Sequence, residues 1–191
     1  MDAALMETSV APFVAPRRVA HLPEMATPYV VRDLELTPAK LQWLWEKLEK
    51  RPSEFSEFEA PDPAAFEAAM FSGDVLWYEM IDPDAPAGPG EALALLTLTT
   101  REMDPDATLV ITLLDRDAHS KTQVLRRWVA DLFTRLPIHR LSVDVPRVHF
   151  ALRRLVEHAG FTYEGKRRDG ARLRGRWVTV NLYGVLRGEV T

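Results

Sequence analysis

Hydrophobic positions in this chain change period several times, and each change marks an element. The clearest series runs from Thr108 to Phe161. Thr108-Leu-Val-Ile-Thr-Leu-Leu114 is a short apolar run of β-forming residues, the mark of a strand buried on both faces. Polar residues from Asp115 to Lys121 end it. Ser120-Lys-Thr-Gln123 has the form of a capping box, in which the Ser hydroxyl and the Gln side chain satisfy loose N–H groups where a helix starts. Val124, Leu125, Trp128, Val129, Leu132, Phe133 and Leu136 follow at helical spacing and make one continuous apolar face. Pro137 ends that helix, because it lacks an N–H and clashes with the preceding turn. Leu141, Val143 and Val145 alternate with Ser142 and Asp144, which predicts a strand with one buried face. Val148, Leu152, Leu155 and Val156 mark a second helix, and Gly160 supplies the left-handed residue that closes it.

The remainder is sparser. Tyr29–Leu34 predicts a strand. Thr37-Pro38 fits a helix start with Pro in the first turn, and Leu41, Leu44, Trp45 and Leu48 form its stripe until Arg51-Pro52. Ser53 to Pro61 is acidic. Asp62-Pro63 opens a short helix with Phe66, Ala69 and Met70 inward and Gly73 at its end. Val75–Ile81 and Glu91–Thr99 predict strands, separated by the breaker-rich Asp82–Gly90 turn. Phe161–Lys166 and Trp177–Leu186 predict two more, joined by a loop over Lys166–Arg176 that carries six Lys/Arg and one Asp. Residues 1–27 show no sustained period and predict a flexible or loosely docked tail, with a single domain over 28–191. Met25 offers a second start codon.

Composition narrows the classes. The 191 residues, 47% hydrophobic and 27% charged, suit one globular domain with a sizeable core. No run is long enough to span a bilayer, and no secretory leader pattern opens the chain, so the expectation is a cytoplasmic protein with no membrane contact. The absence of Cys rules out disulfides, Cys-ligated zinc and a thiol nucleophile. The five His stand at no spacing that suggests a shared metal, so no metal site is expected. The net charge of −4 hides an asymmetry: residues 1–100 hold 7 Lys/Arg against 17 Asp/Glu, and residues 101–191 hold 17 against 11. A basic half suits a polyanion and an acidic half a cationic substrate; solvated helix faces would give the same pattern.

Four pieces carry a resemblance to a known family: the strand-turn-helix at Leu109–Leu136, His139-Arg140-Leu141 opening the next strand, Leu155-Val-Glu-His-Ala-Gly-Phe161, and Tyr163-Glu-Gly165. In this order they resemble the GNAT acyltransferases, in particular the branch that acetylates α-amino groups of ribosomal proteins. The match covers the C-terminal half well and the N-terminal half by element order only. It implies an α/β fold: one GNAT-like domain, with a mixed, mostly antiparallel sheet of six or seven strands flanked by about four helices. It implies acetyl-CoA as the acyl donor and a primary amine, on a small molecule or a protein N-terminus, as the acceptor. The first helix pair would wall the acceptor groove. A homodimer, and RNA or ribosome contact through Lys166–Arg176, are further expected partnerships.

The resemblance also assigns residues. The donor's pyrophosphate would meet the turn after the central strand, Arg116-Asp-Ala-His119, continuing into Ser120, Lys121 and Thr122 at the helix start. The oxyanion donor would be a backbone N–H near Leu113 or Leu114. His149 opens the following helix, at a position that in the family contacts the pantetheine arm. His149 or Tyr183 would serve as general acid, and Glu79 or Asp115 as base, Glu79 because it sits in an otherwise apolar strand where burial raises a carboxyl pKa. One departure matters. Asp117 and His119 stand where the family has glycines, and no Gly lies between Gly90 and Gly160. A carboxylate repels a pyrophosphate, and a Cβ obstructs close backbone approach. Either the contact shifts to Ser120–Thr122, or donor binding is lost and the domain is a binding or structural module. Changing Asp117 and His119 to Gly is expected to tighten acetyl-CoA binding in a calorimetric titration; unchanged affinity would remove the repulsion argument.

Overall fold

The computed structural model describes residues 29–49, 62–71, 75–84, 92–100, 105–114, 121–173 and 175–190. The expected tail at 1–27, the acidic Ser53–Pro61 stretch and Gly73 lie outside them. The elements are β1 (Val30–Asp33), α1 (Pro38–Glu49), α2 (Pro63–Met70), β2 (Val75–Ile81), β3 (Ala92–Thr100), β4 (Asp106–Leu113), α3 (Thr122–Arg135), β5 (Arg140–Pro146), α4 (Phe150–His158), β6 (Thr162–Leu173) and β7 (Arg176–Leu186). The seven strands form one sheet in the order β1-β2-β3-β4-β5-β7-β6, antiparallel throughout except for the parallel β4–β5 pair.

Side-chain alternation gives the sheet two apolar faces, each with its own core. On one face Tyr78, Met80, Leu96, Leu98, Leu109, Ile111, Leu141 and Val143 meet Val124, Leu125, Trp128, Val129, Leu132 and Phe133 of α3 and Leu155 and Val156 of α4. On the other, Leu95 and Leu114 meet Leu44 and Leu48 of α1 and Phe66 and Met70 of α2. The α1 start is held by Thr37, whose Oγ1 accepts from the Lys40 N–H, and the α2 start by Asp62, whose carboxylate accepts from the Ala65 N–H. Gly160 closes α4 at φ 102°, as its position predicts.

Three expectations are corrected. Helix α3 starts one residue later than a Ser120–Gln123 capping box requires: Lys121 is its N-cap, with no side-chain cap bond. Val148 is not on a helix face; it sits exposed in the turn between β5 and α4, because the helix begins at Phe150. The basic Lys166–Arg176 stretch is mostly strand: β6 runs on to Leu173, which pairs with Arg176. Extra residues between Arg167 and Ala171 are absorbed as a bulge, with Asp169 at φ 51°.

Leu132 is wholly buried in the larger core. Leu132→Ala is expected to cost about 2–5 kcal/mol through the cavity it leaves, lowering the urea midpoint with an unchanged m-value. A loss below about 1 kcal/mol would contradict close packing of α3 on the sheet.

Candidate active site

Strands β4 and β5 pair only at their beginnings: Asp106 with Arg140, Ala107 with Leu141, Thr108 with Ser142. Beyond Thr108 each strand keeps its other neighbour, β4 pairing with β3 through Leu113 and β5 with β7 through Pro146. The two parallel strands therefore part, and a cleft opens between their C-terminal ends. The Leu114 N–H donates to the Leu93 carbonyl at 2.9 Å, in register with the rest of the β3–β4 ladder. Alternation along the ladder then turns the main-chain groups of Thr112 toward β3 and those of Ile111 and Leu113 toward the cleft. Of the two expected oxyanion donors, Leu113 faces the cleft, whereas the Leu114 N–H is already taken by β3.

Helix α3 follows β4 and α4 follows β5, so both helices begin at the end of the sheet where the cleft opens. Thr122 is the first residue of α3 and His149 the N-cap of α4. The His149 N–H donates to the Pro146 carbonyl at 2.9 Å, which ties it to the end of β5. The structure thus brings Leu113, Thr122 and His149 to one end of the molecule. Arg116, His119, Ser120 and Asp115 lie outside the described residues. Lys121 does not present an ammonium at the helix surface: it is 0% exposed, and its Nζ lies 5.7 Å from the centre of the Tyr29 ring. Among the described residues no three His, Asp or Glu side chains gather as a metal site, and no helix is long and apolar enough to cross a membrane.

No family model and no curated protein matches this sequence. Solved structures do match. Spermidine N-acetyltransferase from Vibrio cholerae in complex with CoA and spermine superposes with a TM-score of 0.65 at 19% identity, over 86% of this chain and 98% of that one. The ribosomal-protein-S5-alanine acetyltransferase from Vibrio fischeri gives 0.65 at 12% identity, over 86% and 96%. Each likeness spans nearly the whole of the neighbour and most of this chain. This chain has the GNAT fold.

Two of the residues expected to do chemistry in this fold are instead tied into its frame. Glu79 is 1% exposed and sits among cations, not in the apolar surround its strand suggested. Its Oε1 accepts from Arg32 Nε at 2.9 Å, and its Oε2 lies 2.6 Å from Lys40 Nζ, itself buried in α1. A carboxylate flanked by two cations beneath a helix is poorly placed to take a proton from an incoming amine. Tyr183, on β7 opposite Val143, is buried and donates its hydroxyl proton to Glu157 of α4 at 2.8 Å. Burial first, and then that hydrogen-bonded carboxylate, push its pKa up to about 12. Its proton is engaged away from the cleft, so it is a tie between β7 and α4.

Sequence reading missed Arg32 and Lys40 as partners of Glu79, 47 and 39 positions away, because no local pattern joins them. It also missed Ile111 as a cleft-facing main-chain group, which only the ladder register reveals. Glu79→Gln is expected to destabilise the protein by about 3–5 kcal/mol in chemical denaturation, because it leaves the buried Lys40 charge uncompensated. A small cost, under about 1 kcal/mol, would contradict the ion-pair role. Tyr183 favours folding while its folded pKa exceeds the ordinary value of 10. That contribution is complete below pH 10 and is lost as pH rises toward 12, so wild-type stability should fall more steeply over this window than that of Tyr183→Phe. Parallel curves would contradict the assignment.

Proposed function

We propose that this protein transfers an acetyl group from acetyl-CoA to a primary amine, by direct attack of the amine on the thioester in a ternary complex. One observation carries the reading: the parting of β4 and β5, which leaves the main-chain groups of Ile111 and Leu113 aimed into an open cleft. A chain of amides such as pantetheine can add to a strand edge as a further strand would. The Leu113 N–H is then available to the carbonyl oxygen as negative charge develops on it, an interaction stronger in the transition state than in the ground state. The start of α3 at Thr122 offers a positive helix end to the donor's phosphates. His149, partly exposed at the start of α4, is the group we assign to proton handling at the leaving sulfur.

The acceptor side fits a cation. A cavity of about 540 Å³ between α1 and α2 is lined by Trp45 and Phe66 and by the carboxylates of Glu46 and Glu67. The two structural neighbours named above are described as acting on spermidine and on a ribosomal protein, and a further one is described as dodecameric. A polyamine or a protein N-terminus, and a homo-oligomeric state, are the corresponding proposals here, in a cytoplasmic setting.

A second reading has its own observation. In the sequence, Asp117 and His119 stand where the resembled family has glycines, which favours a module that has lost the donor. Thermal unfolding with added acetyl-CoA separates the two. At a hundredfold excess over Kd, the donor should add about 2.7 kcal/mol of stability. No shift at millimolar donor would remove the transferase reading. Where turnover with spermidine or an N-terminal peptide is measurable, His149→Ala should lower kcat by about 10²-fold or more with little change in KM for acetyl-CoA. An unchanged kcat would return His149 to a structural role.

A further inference from the structure

The β6–β7 ribbon forms one edge of the sheet, since β6 pairs with β7 alone. Cross-strand partners share a face, so Tyr163 (opposite Tyr183), Lys166 (opposite Asn181) and Arg172 (opposite Trp177) stand with Trp177 on one side. The same side carries α4, through the Tyr183–Glu157 hydrogen bond. At the start of that helix the guanidinium of Arg153 lies 5.3 Å from the centre of the Phe150 ring. Aromatic rings and cations therefore alternate along this face of the ribbon, in the order Tyr163, Lys166, Arg172 and Trp177.

The rings are not covered. Trp177 is 64% exposed, Phe150 63% and Tyr163 51%. Of the seven large hydrophobic side chains exposed among the described residues, Tyr163 and Trp177 stand on this ribbon face, and Phe150 stands at the start of α4. Cations and a bulge on an edge strand are ordinary protection against unwanted strand pairing, and Lys166, Arg168 and the Arg167–Ala171 bulge serve it. That protection has no use for exposed flat rings. Rings interleaved with guanidinium and ammonium groups suit a ligand with alternating π-faces and negative charges.

We infer that this ribbon face binds single-stranded nucleic acid, with bases stacking on Trp177 and Tyr163 and phosphates meeting Lys166 and Arg172. The contact is independent of acetyl transfer, because its surface is made by β6 and β7 without the cleft amides or the start of α4. Binding would be sequence-tolerant and salt-dependent.

The test is fluorescence anisotropy of a labelled fifteen-nucleotide oligo(U) titrated with the full chain over a series of KCl concentrations, with acetyl-CoA omitted. Binding should weaken as salt rises, and Lys166→Ala and Arg172→Ala should each flatten the log–log salt dependence by about 0.7. Trp177→Ala should weaken binding about fivefold or more, and Trp177→Phe should restore most of it. Far-UV circular dichroism of each variant confirms folding. Three results overturn the inference: no binding at low salt; equal competition by linear polyphosphate or oligo-glutamate with no effect of Trp177→Ala, which would leave a bare cationic patch; or a self-associated protein that Trp177→Ala dissociates without any oligonucleotide binding.

Discussion

Two parallel strands joined at one end and separated at the other are the constraint on which the rest of this molecule depends. Each has a full-length antiparallel neighbour on its outer side, β3 for β4 and β7 for β5, so neither needs the other beyond its first three residues. The angle between them is held from one face. Leu109 and Ile111 of β4 and Leu141 and Val143 of β5 belong to a single apolar core with the stripes of α3 and α4, and closing the cleft would disturb that packing. The result, among the described residues, is an edge of β4 main-chain polar groups that no neighbouring strand pairs. Leaving such groups without a partner costs about 1–3 kcal/mol each when they are dry, so the edge invites water or a ligand amide.

The buried polar groups divide by task. Lys40, Glu79 and Arg32 fasten α1 and β1 to β2 on one face, and Tyr183 with Glu157 fastens α4 to β7 on the other. Neither set of contacts involves the Ile111–Leu113 edge of β4. Among the described residues, the Ile111 and Leu113 main chain and the starts of α3 and α4 lie at the end of the sheet where β4 and β5 part. That distribution suits a reaction needing little beyond orientation and one well-placed donor, because a preorganised N–H costs no rearrangement when charge develops.

Where the chemistry of a residue is local, the sequence displays it. The apolar stripe of α3, the alternation in β5, the Asp62 cap and the Gly160 closure each follow from a few neighbouring residues, and the structure has all of them. Where a residue's role depends on distant partners, the sequence misleads. Glu79 looked like a lone acid in an apolar strand until the fold brought Lys40 and Arg32 to it. Lys121, expected to meet the pyrophosphate at the helix start, is buried with its ammonium over the Tyr29 ring. The basic stretch after Lys166 read as a loop between two strands, yet its residues pair with β7 as far as Leu173. The cleft itself is a property of register, which no stretch of residues encodes alone.

Amide hydrogen exchange over the segment Leu109–Leu114, with and without saturating acetyl-CoA, tests the central claim most directly. If the open edge of β4 receives the donor, exchange in this segment slows on addition of acetyl-CoA, while the core of α3 is unaffected. Exchange in Leu109–Leu114 that stays the same at saturating acetyl-CoA would contradict the account.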